Sequence, residues 1–372
     1  MAASPVTEAQ VLDSLRQVVD PDLGRDIVSL GFVKDLKVEG SRVAFTIELT
    51  TPACPVKDKM QAQAEELVRG VPGAGEVSVQ MTAKVPQGRT QPNREAIRGV
   101  RNIIAVASGK GGVGKSTVAV NLAMALAQWG SAVGVMDSDI FGPSLPLLMN
   151  TSGQPRVAPG NRILPLENYG VKLMSIGFLL GDRDDTPIIW RGPMVMSAVT
   201  QFVQNVEWGE LDYLVVDMPP GTGDAHLTLT QKVPLTGAII VTTPQDIALL
   251  DAKKGLQMFN KVDTPILGII ENMSYLLCPH CGERSEIFGY GGGRKMAERY
   301  GVPYLGEIPL DVRTRECGDE GRPIVVAEPE SPVAEAFRNA ASAVAARIST
   351  INIGSGTADR PESQGFIPLK VG

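Results

Sequence analysis

A glycine-rich segment that ends in lysine and serine has the composition of a phosphate-binding loop. Residues 109–116 match the pattern G-x-x-x-x-G-K-S/T, between an apolar run and a helical pattern. Backbone N–H groups of such a loop surround phosphate oxygens, and the start of the following helix adds the positive end of its dipole. Lys115 is expected to contact the β- and γ-phosphates, and the Ser116 hydroxyl is expected to bind Mg²⁺. The segment predicts ATP and Mg²⁺ as ligands, bound by Gly109, Lys110, Gly111, Gly112, Val113, Gly114, Lys115, Ser116 and Thr117.

Acidic residues close two other apolar runs. Asp217 ends the run LDYLVVD, where a carboxylate can hold Mg²⁺ directly or through water. Asp137 and Asp139 follow the run SAVGVM, and Asp137 is the less certain member of the site. Aspartates at strand ends also form turns and helix caps, so the spacing leaves a structural role open for each of them.

Two cysteines, Cys278 and Cys281, stand two residues apart and can hold one metal centre from a single turn. A closed thiolate site needs four ligands. The other cysteines, Cys54 and Cys317, are isolated in the sequence. The economical solution is symmetric, with two chains supplying one pair each. Spacing does not distinguish zinc from iron, thioredoxin-like redox chemistry is a third option, and His280 lies between the cysteines and fits poorly as a ligand.

The elements that must position these residues alternate between strand and helix from Asn102 onward. Continuous apolar runs such as NIIAVAS, TGAIIVTTP and TPILGIIENM are typical of strands that are covered on both faces. Helical segments such as DIALLDAKKGLQMF lie between them, and VAEAFRNAASAVAARI closes the unit. This alternation predicts an α/β fold, a doubly wound parallel sheet of the P-loop NTPase kind, over residues 99–350.

A separate α+β domain is predicted for residues 1–85. Thr7 and Gln10 fit a capping box before a first helix, and a hairpin is expected around residues 39–41. A second amphipathic helix and a last strand follow. Residues 86–98 are polar with two prolines and are expected to be a linker, and residues 351–372 are expected to be a flexible tail.

Composition limits the functional class. The chain has 372 residues and a net charge of −6, which argues against a general nucleic-acid binder. Four cysteines are too few for a disulfide scaffold of this size. The N-terminus lacks the pattern of a secretory signal, and no apolar run approaches the ~20 residues that span a bilayer. A cytoplasmic protein without a membrane or nucleic-acid partner is expected.

Several segments resemble the deviant P-loop class that contains MinD, ArsA and the nitrogenase iron protein. A lysine directly after the first glycine, here Lys110, marks that class. The resemblance implies that Lys110 reaches the nucleotide of a partner subunit and that Asp139 lies in switch I and orients the attacking water. It also implies a switch II that contains Pro220, Gly221 and Asp224. By the same resemblance, Asn272 contacts the adenine base, with Pro309 and Asp311 beside it.

The combination of GKGGVGKST, DSDIFGPS, DMPPGTGD, GIIENMSYLLCPHCG and IPLD resembles the Mrp/ApbC family of ATP-binding iron–sulfur cluster carriers. The N-terminal unit resembles the small SufT/PaaD-like iron–sulfur assembly domain, through Asp20-Pro-Asp-Leu, Ile27-Val-Ser-Leu-Gly-Phe and Leu49-Thr-Thr-Pro-Ala-Cys54-Pro. The resemblance implies a homodimer that holds a labile [4Fe–4S] cluster through Cys278 and Cys281 of each subunit. The cluster would come from donor proteins and pass to apoproteins under control of a slow ATP hydrolase, with Cys54 as a transient thiolate.

An alternative is a MinD/ParA-like switch ATPase. That reading requires a basic amphipathic C-terminal helix for membranes or a basic surface for DNA. The last helical pattern is rich in alanine and only weakly basic. A further alternative is an ATPase whose shared four-thiolate site holds structural zinc and fastens the dimer.

Overall fold

A computed structural model of the chain describes residues 6–88, 96–140, 142–180, 192–221, 223–278 and 280–354. The N-terminal part contains α1 (Glu8–Leu15), β1 (Val19–Asp20), β2 (Arg25–Asp26), β3 (Val33–Glu39), β4 (Arg42–Leu49), α2 (Lys57–Arg69) and β5 (Val77–Ala83). The second part begins with β6 (Val100–Ala107), α3 (Lys115–Gln128), β7 (Val133–Asp137), α4 (Leu145–Leu148), β8 (Val157–Ala158), β9 (Arg162–Ile163), β10 (Leu166–Asn168), β11 (Val171–Ser175), α5 (Gly177–Leu180), α6 (Gly192–Gln204), β12 (Leu211–Asp217) and α7 (Asp224–Lys232). It ends with β13 (Gly237–Thr242), α8 (Asp246–Lys261), β14 (Ile266–Glu271), β15 (Leu276–Leu277), β16 (Arg284–Ser285), α9 (Gly292–Tyr300), β17 (Tyr304–Glu307), α10 (Val312–Asp319), α11 (Ile324–Ala327) and α12 (Pro332–Gly354).

The N-terminal part has the helix, hairpin, helix, strand order that the sequence predicts. Thr7 and Gln10 form the capping box of α1, in which the Gln10 backbone donates to the Thr7 hydroxyl. β3 and β4 form an antiparallel hairpin whose turn contains Gly40, and β5 pairs with β4 in parallel. Alternate residues of β4 are buried, so one face of this sheet covers α1 and α2. The short antiparallel pair of β1 and β2 was not predicted.

The second part is built on a sheet of eight strands in the order β10-β11-β7-β12-β6-β13-β14-β17. The pairing is parallel throughout except for β10, which runs antiparallel to β11 at one edge. The central strands are buried on both faces: α3 and α12 pack on one face, and α6 and α8 pack on the other. The doubly wound α/β fold is therefore confirmed. All carboxyl ends of the parallel strands meet at one edge, where loops bring functional groups together.

The N-terminal part contacts the second part near the amino ends of the parallel strands. The Ser342 hydroxyl of α12 donates to the Ala53 carbonyl at 3.0 Å, and Ala53 is part of the core of the second part. The Asn352 side chain of the same helix donates to Asn102 at 3.0 Å near the start of β6, which holds the end of α12 on the sheet of the second part. Ile353, on the last turn of α12, packs against the N-terminal core. The long closing helix thus contacts both parts of the chain.

The expected boundaries differ in detail from the structure. Of the proposed linker, residues 89–95 lie outside the described part, but its described ends are packed. Gly88 donates its N–H to the Arg101 carbonyl at 2.8 Å, and Ile97 is buried. The tail was expected to begin at residue 351, but α12 continues through Gly354. Its apolar face continues over the N-terminal core, which explains the longer helix.

Candidate functional site

The phosphate-binding loop connects β6 to α3 at the carboxyl edge of the sheet, as the sequence predicts. Gly114 caps α3 with φ +78°, a left-handed conformation that favours glycine. A Cβ on Gly109 would lie 2.1 Å from the carbonyl carbon of Asp251 in α8, so only glycine fits against that helix. Ser108 accepts the Gly221 N–H through its carbonyl at 3.0 Å, which ties the loop to the expected switch II.

A cavity of about 230 Å³ lies on this loop and brings together residues from three predicted motifs. The motifs are the loop itself, the expected switch I and the expected switch II. The lining residues are Ser108, Lys110, Gly111, Gly112, Gly114, Lys115, Ser116, Thr117, Asp139 and Pro220. Lys110 is exposed at the mouth of the cavity. Its cation is therefore available to a group outside the chain.

Lys115 and Asp217 form a buried ion pair beside the cavity. The Lys115 Nζ lies 2.5 Å from Asp217 Oδ1, and both side chains are about 95% buried. Burial raises the pKa of Asp217, and the attraction of Lys115 opposes that rise. The same carboxylate is hydrogen-bonded to the Ser116 hydroxyl. Hard oxygen groups suit Mg²⁺, so the adjacent Ser116 and Asp217 fit the predicted magnesium site.

Asp137 organises the loop that carries Asp139. The buried Asp137 carboxylate accepts three backbone N–H groups and one hydroxyl: Asp139 N at 3.0 Å, Ser144 N at 3.2 Å, Leu145 N at 3.3 Å and Ser175 Oγ at 3.0 Å. Burial, and then the charge of Asp217, raise the pKa of Asp137 to about 7. Asp137 therefore holds the loop in place, which is the structural role that the sequence left open.

The expected switch II leads into α7. Pro220 lines the cavity, and Gly221 adopts φ +95°. Thr222 and the side chain of Asp224 lie outside the described part, so the expected role of Asp224 stays a prediction.

His226 on α7 is a residue that the sequence reasoning missed. It is 1% exposed, and its ring is hydrogen-bonded to the Pro219 carbonyl. Its Nε2 has no hydrogen-bond partner among the described residues. Burial, and then the charge of Lys115, lower the pKa of His226 to about 4. The sequence did contain a signal for this residue, because His226 is a polar residue two positions after Asp224 of the expected switch II.

Asn272 contacts the phosphate-binding loop directly. Its side-chain amide donates to the Val113 carbonyl at 2.8 Å, and a Cβ on Gly114 would lie 2.3 Å from that amide nitrogen. Pro309 is buried in the neighbouring segment, and Asp311 caps α10 by accepting the Thr314 N–H at 3.3 Å. These residues follow β14 and β17 at the same edge of the sheet. Their contact with a nucleotide base stays a prediction.

Cys278 and Cys281 lie in the turn of the short hairpin formed by β15 and β16. Cys278 donates its N–H to Glu283 at 2.9 Å and accepts the Gly282 N–H at 2.8 Å. Backbone N–H groups of Cys281 and His280 donate to the Cys278 sulfur and lower the pKa of that thiol. Cys278 is half-buried, whereas Cys281 and His280 are exposed. No group of three or more potential metal-ligating side chains occurs within the described ranges, so the pair stands without further ligands there.

Cys54 and Cys317 lie apart from this hairpin. Cys54 follows β4, and the neighbouring Thr51 hydroxyl lies 3.5 Å from Tyr213 near the start of β12. The hairpin instead follows the carboxyl end of β14, so the structure does not bring Cys54 to Cys278 within one chain. Burial raises the pKa of the half-buried Cys54, which disfavours a thiolate. Cys317 is fully buried in the core beside α12 and packs as an apolar residue.

Within the described segments, none of the helices combines the length and the apolar character that a bilayer span requires.

Two models of protein families match the chain. The model described as the NUBPL iron-transfer P-loop NTPase matches residues 99–345. The model described as an iron–sulfur cluster assembly protein matches residues 8–80. Together the two matches extend over most of the described residues.

Individual relatives agree with these matches. An iron–sulfur cluster carrier protein of Synechocystis is 49% identical over 349 residues, which cover 92% of this chain and 98% of the relative. The iron–sulfur cluster transfer protein NUBPL of mouse is 51% identical over 270 residues, covering 70% and 84% of the two chains. Among solved structures, a nucleotide-binding protein of Archaeoglobus fulgidus in complex with ADP aligns with a TM-score of 0.57 and 40% identity. That alignment covers 65% of this chain and 93% of the other.

Proposed function

The chain belongs to the NUBPL family of iron-transfer P-loop NTPases, and we propose that it is an ATP-hydrolysing carrier of a labile [4Fe–4S] cluster. In this proposal the cluster is cargo: donor proteins supply it in the cytoplasm, and apoproteins receive it. The observation that carries the proposal is the position of Cys278 and Cys281 in an accessible turn, at the same edge of the sheet as the phosphate-binding loop.

A homodimer completes the cluster site in this proposal. A [4Fe–4S] cluster takes four thiolates, and one chain offers two at the hairpin. A twofold axis that passes between two hairpins brings four thiolates together without any further ligand. The exposure of Cys281 and the lowered pKa of Cys278 support this arrangement, because thiolates that bind iron must be both accessible and deprotonated.

The nucleotide site has the groups that ATP hydrolysis requires. Lys115 and backbone N–H groups of the loop bind the phosphates, and Ser116 and Asp217 would hold Mg²⁺. Mg²⁺ when bound neutralises phosphate charge. Asp139, fixed at the cavity by Asp137, positions the attacking water. Lys110, exposed at the mouth, contributes its charge to the nucleotide of the partner subunit.

Hydrolysis in this proposal regulates the hairpin rather than supplying chemistry to it. Asn272, which directly follows β14, contacts the loop at Val113, and the chain then continues to Cys278. A change at the phosphates therefore has a short covalent path to the cluster ligands. Cys54 lies near the amino ends of the parallel strands, whereas the hairpin follows the carboxyl end of β14. The proposal therefore assigns Cys54 no role as a cluster ligand.

A paired reconstitution experiment tests the proposal. The full chain and its Cys278→Ser/Cys281→Ser variant are incubated anaerobically with iron and sulfide, and iron, sulfide and visible absorption are measured. The wild type is expected to bind about four irons per dimer with a broad thiolate-to-iron band, and the variant is expected to bind none. Cys54→Ser is the matched control and should keep the cluster.

Two results would contradict the proposal. Equal iron in the double variant would remove the cysteine pair as the site. Tightly bound zinc without a competent cluster would favour a switch ATPase with a structural zinc site, since four thiolates suit zinc as well.

A further inference from the structure

Glu271, the last residue of β14, is a fully buried carboxylate at the centre of three segments. Its oxygens accept the Ser274 hydroxyl at 2.6 Å, the Gly291 N–H at 3.2 Å and the Gly293 N–H. A Cβ on Gly293 would lie 3.1 Å from this side chain, so the α9 backbone packs directly on it. The carboxylate thus joins the end of β14 to the start of α9 and to the segment before the cysteine hairpin.

The neighbouring residue, Asn272, faces the nucleotide site. Its amide donates to the Val113 carbonyl of the phosphate-binding loop at 2.8 Å. Two consecutive side chains therefore make contacts with two different functional parts of the protein. A shift of the loop that moves Asn272 must also act on the backbone of Glu271.

The cysteine hairpin contacts the loop before α9, which Glu271 holds through its hydrogen bond to Gly291. The Arg284 guanidinium on β16 lies over two aromatic rings, 3.8 Å from the Tyr275 centroid and 4.4 Å from the Tyr290 centroid. It also forms an ion pair with Glu307 at 3.1 Å. Tyr290 directly precedes Gly291, whose N–H Glu271 accepts. The position of the cysteine turn therefore depends on the loop that Glu271 anchors.

We propose that Glu271 is a positioning residue that couples the phosphate-binding loop to the cysteine hairpin. The inference deepens the proposed function, on which it rests, by naming the group through which nucleotide affects the cluster ligands. A carboxylate suits this position because all three partners are donors and a carboxylate only accepts. A glutamine would present its amide N–H groups to at least one of these donors and lose the contact.

Thiol alkylation of the cluster-free protein tests the coupling without measuring cluster or activity. The full chain is treated with iodoacetamide with and without Mg·ADP, and mass spectrometry gives the alkylation rates of Cys278 and Cys281. In the wild type, ADP is expected to change the rate by about fivefold or more, the lower end of typical coupling between sites. In Glu271→Gln, ADP is expected to bind with nearly unchanged affinity while its effect on the rate falls to less than about twofold.

Two further variants separate coupling from general loss of structure. Ser274→Ala removes one of the three donors and should give an intermediate ADP effect. Asp26→Asn is the matched control, because Asp26 also accepts two backbone N–H groups, from Val28 and Ser29, but in the N-terminal part. It should keep the full effect of ADP on the hairpin cysteines.

The inference is overturned if ADP leaves the wild-type alkylation rate unchanged, or if Glu271→Gln keeps the wild-type response. Neither result decides whether the chain carries a cluster, because cluster binding is tested separately by the reconstitution of the wild type. Conversely, a wild type that shows the ADP effect but binds no cluster would refute the proposed function and leave the coupling intact.

Discussion

His226 on α7 should stay neutral across the pH range in which a solvent-exposed histidine takes up its proton. It is 1% exposed and hydrogen-bonded to the Pro219 carbonyl. Burial is the main cause that lowers the pKa of His226 to about 4 from 6.5, and the charge of Lys115 adds to it. We predict that His226 stays neutral at every pH at which the protein is fully folded.

The sign and size of the stability effect follow from this shift. The unfolded chain binds a proton near pH 6.5 and the folded chain does not, so stability is full above that pH and is lost as pH falls toward 4. The complete difference is about 3 kcal/mol, at 1.36 kcal/mol per pKa unit. Between about pH 7.5 and about pH 5.5 the wild type should lose about 1 kcal/mol through this residue alone.

His226→Gln is the perturbation, because glutamine keeps a donor for the Pro219 carbonyl and does not titrate in this range. Urea unfolding at both pH values should show a loss that is smaller by about 1 kcal/mol in the variant than in the wild type. NMR of the His226 ring checks the cause directly. Equal pH dependence of stability in both proteins, or a His226 ring that takes up its proton near pH 6.5, would contradict the prediction.

Three further predictions follow from the geometry, two of them with a matched control substitution. Lys115→Met should weaken ADP binding at least about tenfold by calorimetry and destabilise the fold by about 3 kcal/mol, since it leaves a buried carboxylate unpaired. Lys254→Met, in an exposed ion pair, should cost under about 1 kcal/mol, and an equal cost for both would contradict the stabilising role of the buried Lys115–Asp217 pair. Gly109→Ala should lower stability by about 1–3 kcal/mol in urea unfolding because α8 leaves no room, whereas Gly111→Ala meets nothing closer than 3.9 Å and should be tolerated better. Thr7→Ala should cost about 1 kcal/mol through its lost helix cap with unchanged ADP affinity by calorimetry, and an affinity loss would show that α1 influences the nucleotide site.

The central strands and the phosphate-binding loop could be predicted because their signals are local. Strands buried on both faces require uninterrupted apolar runs, and β6, β12, β13 and β14 have them. The edge strand β10 and the short β17 contain polar residues and are only three and four residues long. Such segments carry no periodic pattern, and their pairing depends on the rest of the sheet.

The long-range contacts of the candidate site could not be predicted for the same reason. In the sequence, Glu271 is an acidic residue at the end of an apolar run and has no distinguishing feature. Its partners Gly291 and Gly293 lie about twenty residues further along the chain. His226 becomes buried only when α7 packs against the expected switch II, where its ring meets the Pro219 carbonyl. The position of Cys54 depends on how the two parts dock, which no local pattern specifies.

In the proposed function, two chains share one [4Fe–4S] cluster through their hairpins. Native mass spectrometry of the anaerobically reconstituted full chain tests it most directly, because it gives the assembly and the mass of its metal cargo together. A dimer with one added mass of four irons and four sulfides is expected, and this added mass should be absent from Cys278→Ser/Cys281→Ser. A monomer that carries the cluster alone, or a dimer that carries only zinc, would contradict it.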